Sequence, residues 1–258
     1  MPDAPVGPWR LDGTVAVVTG AARGIGAAIA RHLAGLGASL ALADVEPMNP
    51  AEQAERLRAL GAHRVTVHRV DVRDISSCIA LVASVAEEFG RLDILVNNAG
   101  VNARHDFAGT SESEWQDVLD VNLGGTIRMC RAALWLLRAA PAPAVVNLGS
   151  TAGAVAVAGS AAYGVSKAAI MHLTRILALE WAPEGIRVNA VAPTIVPTAM
   201  TEDVRQSAEY MRAKLAAIPL GRMATPDEVA QAVAYLCAPA AAMTTGQTLF
   251  IDGGLTIQ

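Results

Sequence analysis

The feature that most constrains this chain is an alternation running from one end to the other. Short runs rich in Val, Leu, Ile and Ala recur at TVAVVTG (14–20), SLALAD (39–44), RVTVHRVD (64–71), LDILVNNAG (92–100), AVVNLGS (144–150), IRVNAVAP (186–193) and QTLFID (247–252). Most are apolar almost throughout, as strands covered on both faces must be. Between them lie stretches of helical patterning near 24–36, 50–61, 74–89, 112–138, 160–182, 201–216 and 226–237. Strand and helix in strict alternation predict βαβ units, hence a parallel sheet wound on both sides. The expected architecture is a single-domain, doubly wound α/β fold with a seven-stranded parallel sheet flanked by helices on both faces. At 258 residues the chain suits one such domain over 11–258, a size that buries about three quarters of its unfolded surface.

Composition narrows the classes of function. Hydrophobic residues at 53% against 17% charged exclude a disordered chain, and 4% aromatics predict a core of small, closely packed side chains. A net charge of −4 without a Lys/Arg stripe argues against a nucleic-acid partner. No apolar run reaches the length of a membrane span. Residues 1–10 read as a Pro-rich arm leading into the fold, with neither the basic nor the apolar region of a signal peptide. Cys78, Cys130 and Cys237 are far apart, odd in number and form no CxxC, which predicts buried, reduced thiols in a cytoplasmic protein. His32, His63, His68 and His172 lack ligand-like spacing and no HExxH is present, so no catalytic metal is expected. The helices at 126–138 and 160–182 are apolar nearly all round and need covering on the side away from the sheet, which predicts a symmetric homo-oligomer.

The chemistry gathers at the ends of the strand runs. The first run closes in TGAARGIG, Thr19 to Gly26. Gly20, Gly24 and Gly26 allow a tight turn and let the main chain approach a pyrophosphate at the N-terminus of the next helix. Their spacing is GxxxGxG rather than the commoner GxGxxG. Asp44, at the end of the second run, stands where a carboxylate accepts hydrogen bonds from adenosine ribose hydroxyls.

Five motifs in order carry a resemblance: TGAARGIG, the NNAG of Asn97–Gly100, Asn122, Ser150, and YGVSK at Tyr163–Lys167, with Tyr163 thirteen positions after Ser150. Together they resemble the short-chain dehydrogenase/reductase family, from about Leu11 to the closing IDGG of Ile251–Gly254. The resemblance implies a Rossmann-like NAD(P)-binding domain and hydride transfer between the coenzyme and a secondary alcohol or ketone. It gives Tyr163 the role of acid/base, with Lys167 lowering its pKa and holding the nicotinamide ribose. Ser150 would donate to the substrate oxygen, and Asn122 would hold a water that relays protons. Gly20, Arg23, Gly24, Ile25 and Gly26 would form the phosphate loop. Asp71 is implied near the adenine and Asn98 near a ribose, with Val72, Ala99, Gly100 and Pro193 alongside. Val196 and Thr198 match positions that bind the carboxamide, although Thr194 replaces the Gly usual after Pro193.

For the coenzyme, Asp44 would repel a 2′-phosphate by about 1 kcal/mol in water and up to ~4 kcal/mol in a partly shielded site. Arg23 could instead pair with that phosphate, but no basic residue adjoins Asp44, so NAD is favoured over NADP. The substrate pocket is expected between the loop Val101–Phe107, with Asn102, Arg104 and His105, and an insertion over 197–217, with Met200, Glu202, Tyr210 and Met211. Polar groups there suit a polyol or sugar. The competing readings are reduction of a 3-oxoacyl thioester on an acyl carrier protein with NADPH, and a nucleotide-sensing regulator without catalysis. The resemblance also implies a tetramer.

Overall fold

The computed structural model describes residues 7–257. Each of the seven apolar runs becomes one strand: β1 Val15–Thr19, β2 Ser39–Asp44, β3 Val65–Arg69, β4 Ile94–Asn97, β5 Ala144–Leu148, β6 Arg187–Pro193 and β7 Thr248–Ile251. All pair in parallel, in the order β3-β2-β1-β4-β5-β6-β7. The helices are α1 Gly24–Gly35, α2 Pro50–Arg58, α3 Ile75–Phe89, α4 Glu112–Leu119, α5 Gly125–Leu137, α6 Ala161–Trp181, α7 Glu202–Arg205, α8 Ala208–Ala216 and α9 Pro226–Cys237.

Alternate strand residues serve two cores, because successive side chains leave a strand on opposite faces. Ala16 and Val18 of β1 pack with α1 and α9, whereas Val15 and Val17 pack with α3, α5 and α6. Strands buried on both sides are what nearly unbroken apolar runs require. The strand order reverses direction between β1 and β4, so the helices on either side diverge there. Above the carboxyl ends of these strands a crevice opens, the usual place for a ligand in such sheets.

Two expected helices are broken. The stretch read as 112–138 is α4 and α5 separated by a π-helical turn at Asp120–Gly124, in which the Gly125 N–H donates to the Asp120 carbonyl five residues back. The stretch read as 201–216 divides into α7 and α8, because the Ser207 hydroxyl accepts from the Tyr210 N–H and starts a new helix. Residues 1–6 of the expected arm lie outside the described residues. Its last part is pinned to the fold: Ala240 N–H donates to the Pro8 carbonyl at 2.8 Å, and Trp9 meets the Tyr235 ring with centroids 5.8 Å apart. The three cysteines are free and buried. Burial pushes the Cys78 thiol up to about 11 and those of Cys130 and Cys237 to about 12, so none is a ready nucleophile. Among the described residues no helix is long and apolar enough to cross a membrane.

Candidate active site

A cleft of about 600 Å³ runs over the carboxyl ends of the strands at the point where their order reverses. Gly20, Arg23, Gly24, Ile25, Gly26 and Asp44 line one end. There α1 starts bare: Arg23 is its N-cap with no side-chain cap, and no acidic residue stands in the first turn. By contrast α4 and α9 carry complete capping boxes, Ser111 with Glu114 and Thr225 with Glu228. An uncapped N-terminus leaves main-chain N–H groups and the positive end of the helix dipole facing the cleft, which suits an anion.

The loop is packed too tightly for side chains. A Cβ on Gly20 (φ +65°) would lie 2.8 Å from Asn98 Nδ2, and one on Gly26 would strike the Gly20 carbonyl. Asn98 braces this turn, its Nδ2 donating to the carbonyls of Thr19 and Gly20 at 2.9 Å each. The Asp44 carboxylate is aimed by two main-chain donors: Oδ2 accepts from Ala22 N–H at 2.9 Å and Oδ1 from Glu46 N–H at 3.0 Å. Arg23, expected as a candidate phosphate ligand, is already paired with Glu46 at 2.7 Å. Asp71, Val72, Ala99 and Gly100 line the cleft further in. The Arg73 guanidinium, 2.8 Å from Asp71, holds that carboxyl below its ordinary range.

At the other end, α6 puts Tyr163 and Lys167 one turn apart on the cleft wall. Lys167 Nζ lies 5.6 Å from the Tyr163 ring centroid and donates to the Leu148 carbonyl at 2.6 Å. Burial pulls the Lys167 ammonium down to about 8. Burial also pushes the Tyr163 phenol above its ordinary value, while Ser150 and the Arg104 guanidinium draw it back. This departs from the expectation that Lys167 would lower the phenol: in the chain itself desolvation dominates, and the ammonium is directed at a main-chain carbonyl. Ser150 closes β5, its Oγ accepting from Ala152 N–H at 3.2 Å at the start of a 3₁₀ turn.

Asn122 is wholly buried in the π turn, a deformation frequent at functional sites. Its Oδ1 accepts from Val101 N–H at 2.8 Å, and its Nδ2 donates to the Val101 carbonyl and Ser166 Oγ at 3.0 Å each. The side chain thus clips the loop after β4 to α6, and the Asn122 main-chain carbonyl takes the Thr126 hydroxyl at 2.8 Å. Pro193 and Thr198 line the cleft, whereas Val196 lies in the core, its carbonyl accepting from Thr201 Oγ1 at 2.6 Å. Thr194 in place of Gly brings no positive φ, since no non-glycine among the described residues has one, but its hydroxyl is buried without a hydrogen-bond partner.

The expected substrate walls meet in an adjoining cavity lined by Asn102, Arg104, His105, Met200 and Asp203. Glu202, Tyr210 and Met211 are not among its lining residues. Glu46, which holds Arg23 in the cleft, and Asp203, which holds Arg104 in the adjoining cavity, escaped the sequence reading. Glu46 had a signal in the acidic pair of ADVEP, but Asp203 had none.

The chain matches the model of the enoyl-(acyl carrier protein) reductase family over residues 20–256. It belongs to the short-chain dehydrogenase/reductase family. Among this dehydrogenase family's curated members, it is 43% identical to the D-threitol dehydrogenase of Mycolicibacterium smegmatis over 255 residues, 97% of this chain and 95% of the relative. It is 41% identical to the galactitol 2-dehydrogenase (L-tagatose-forming) of Cereibacter sphaeroides over 251 residues, 96% of this chain and 97% of that one. A gluconate 5-dehydrogenase from Burkholderia cenocepacia, solved with NADP and tartrate, superposes with a TM-score of 0.92 at 30% identity, covering 99% of this chain and all of that one. Such relatives make this chain an oxidoreductase acting on alcohols.

Proposed function

We propose that the protein interconverts a secondary hydroxyl of a polyol or sugar and the corresponding ketone, with NAD as coenzyme. One observation carries the reading: a single cleft joins an uncapped helix N-terminus, flanked by Asp44, to the half-buried Tyr163 and the buried Lys167. The coenzyme fits this cradle, because Gly20 and Gly26 leave no room for side chains and α1 offers free N–H groups to a pyrophosphate. Asp44 would take ribose hydroxyls, Asp71 and Val72 the adenine side, and Asn98, Ala99 and Gly100 the next ribose. Tyr163 and Lys167 would hold the nicotinamide ribose, with Pro193, Thr198 and the main chain of Val196 at the carboxamide. When bound, the nicotinamide supplies the hydride acceptor or donor.

The chain's own groups manage the proton. Tyr163 gives it to, or takes it from, the substrate oxygen, and Ser150 donates a hydrogen bond to the same atom. A phenol raised by burial is protonated at neutral pH, which suits protonation of a carbonyl. Alcohol oxidation needs the phenolate and so gains as pH rises. Lys167, brought down to about 8, exchanges its proton close to neutral pH beside the phenol. NAD is favoured because Glu46 already engages Arg23, the only basic group of the loop, and Asp44 stands ready for ribose hydroxyls. Apolar side chains left bare on α5 and α6, Trp135 at 56% and Leu179 at 80% exposed, support a homo-oligomer, a tetramer in this reading; sedimentation measures the number of subunits.

The deciding experiment mixes the purified protein with NAD or NADP and follows reduced coenzyme across polyols, sugars and simple secondary alcohols. Tyr163→Phe lowers kcat by about 10³-fold while coenzyme still binds, as expected for loss of an acid/base. Turnover that survives this substitution removes Tyr163 from the mechanism, and turnover with NADP alone reverses the coenzyme assignment.

A further inference from the structure

Arg104 lies in the loop after β4, beside the reacting end of the cleft, and its charge is felt at the Tyr163 phenol. An uncompensated arginine in such a place recruits carboxylates, because its planar fork matches their geometry and its field concentrates anions. Here it is compensated. Nη2 donates to the Met200 carbonyl at 3.1 Å, and Nε lies 3.2 Å from Asp203 Oδ2 in the opposite wall. The arginine side chain is 24% exposed and that of Asp203 is 59% exposed, so the cation is set into the wall with its counter-ion on the rim.

A second observation points the same way. Asn102 Oδ1 is buried with no hydrogen-bond partner, and Asn102 lines both the cleft and the adjoining cavity. A buried acceptor without a donor is unfavourable. A substrate hydroxyl supplies the missing proton, whereas a carboxylate brings only further acceptors. Resting on the polyol reading, we infer that Asp203 is a specificity-determining residue: by neutralising Arg104 it makes the site select a neutral hydroxylated substrate over the corresponding acid. Asn102 then accepts a hydrogen bond from one substrate hydroxyl.

The test compares threitol with threonate, which carries a carboxylate in place of one terminal carbinol. The unaltered protein with its coenzyme binds and turns over threitol in preference. Asp203→Asn leaves Arg104 uncompensated and raises the threonate-to-threitol ratio of kcat/KM about fivefold, the upper range for a partly exposed ion pair. Asp203→Glu brings the ratio back, which a merely structural role would not predict. Equilibrium binding to the protein–coenzyme complex gives the same ratio without turnover. If neither compound is oxidised but Asp203→Asn still gains affinity for threonate, the polyol reading falls and the charge filter stands. An unchanged binding ratio in Asp203→Asn, or a preference for threonate in the unaltered protein, overturns the inference.

Discussion

The coenzyme end of the cleft and the substrate cavity adjoining its other end use the same device on different supports. At the coenzyme end Arg23 pairs with Glu46 at 2.7 Å, and both residues stand within a few positions of a strand end. At the substrate end Arg104 faces Asp203 at 3.2 Å, and the two belong to separate segments that leave the sheet after β4 and β6. Binding groups at the coenzyme end are largely main chain: the bare start of α1, and the amides of Ala22 and Glu46 that aim Asp44. At the substrate end they are side chains on loops. A ligand of constant shape suits a site fixed by the sheet, whereas a ligand that varies among relatives suits side chains that can be exchanged without disturbing strand or helix.

Lys167 stands where the two ends meet, and its removal has the largest expected effect on stability. Its ammonium falls from an ordinary 10.5 to about 8 in the fold. Below about pH 8 both folded and unfolded chains hold the proton, and the fold bears the full penalty of the buried charge. Between about 8 and 10.5 the unfolded chain binds a proton that the folded one does not, so stability rises with pH through that window. The span corresponds to about 3 kcal/mol. Lys167→Met lacks this dependence, and the stability of the variant relative to the unaltered protein should fall by about that amount from pH 7 to 10.5. Urea unfolding of both proteins at several pH values measures it. A difference that stays flat would mean that the Leu148 carbonyl fully offsets burial, and that the junction carries no strain.

Substitution at Asp44 breaks the coenzyme end. Asp44→Asn removes the charge facing a 2′-phosphate while keeping one acceptor, and the NADP-to-NAD ratio of kcat/KM should rise about 30-fold, or ~2 kcal/mol for a partly shielded site. A ratio that does not move would place the adenosine ribose away from this carboxylate, and the fit of the coenzyme with it.

The two ends also differed in what the sequence disclosed. Every strand was legible, because a sheet buried on both faces leaves an unmistakable run of apolar residues, and each βα junction that forms the coenzyme end lies on such a run. The spacing from Ser150 to Tyr163 was recognised through the family resemblance, and that from Tyr163 to Lys167 also follows from one helix face. The π turn at Asp120–Gly124 was not, because one extra residue in a helix leaves almost no mark on a pattern this short. Its hint was the pair Gly124–Gly125, where Val72 crowds the helix too closely for a Cβ on Gly125. Asn122 was found by resemblance, but the clip it forms between Val101 and Ser166 depends on that turn. The Arg104–Asp203 pair was beyond reach, since nothing local to either residue records a partner so far away in the chain.

Glu46 gives the finest probe of the contrast. Glu46→Gln releases Arg23 toward a 2′-phosphate while leaving the main-chain amide that aims Asp44 intact. The Arg23 side chain is 66% exposed, so water and salt limit the gain to about fivefold in the NADP-to-NAD ratio. Arg23→Ala in the Glu46→Gln background should cancel it, and the double-mutant cycle isolates the pair from the effect of Asp44. High salt should shrink the gain, as expected for exposed charges, but should leave most of the Asp44→Asn effect in place. If Glu46→Gln instead matched or exceeded Asp44→Asn, coenzyme choice would rest on an exposed side-chain pair just as substrate choice rests on Arg104 and Asp203. The two ends would then differ only in which loops carry the pair, and the main chain at the start of α1 would serve the shared pyrophosphate without discriminating between coenzymes.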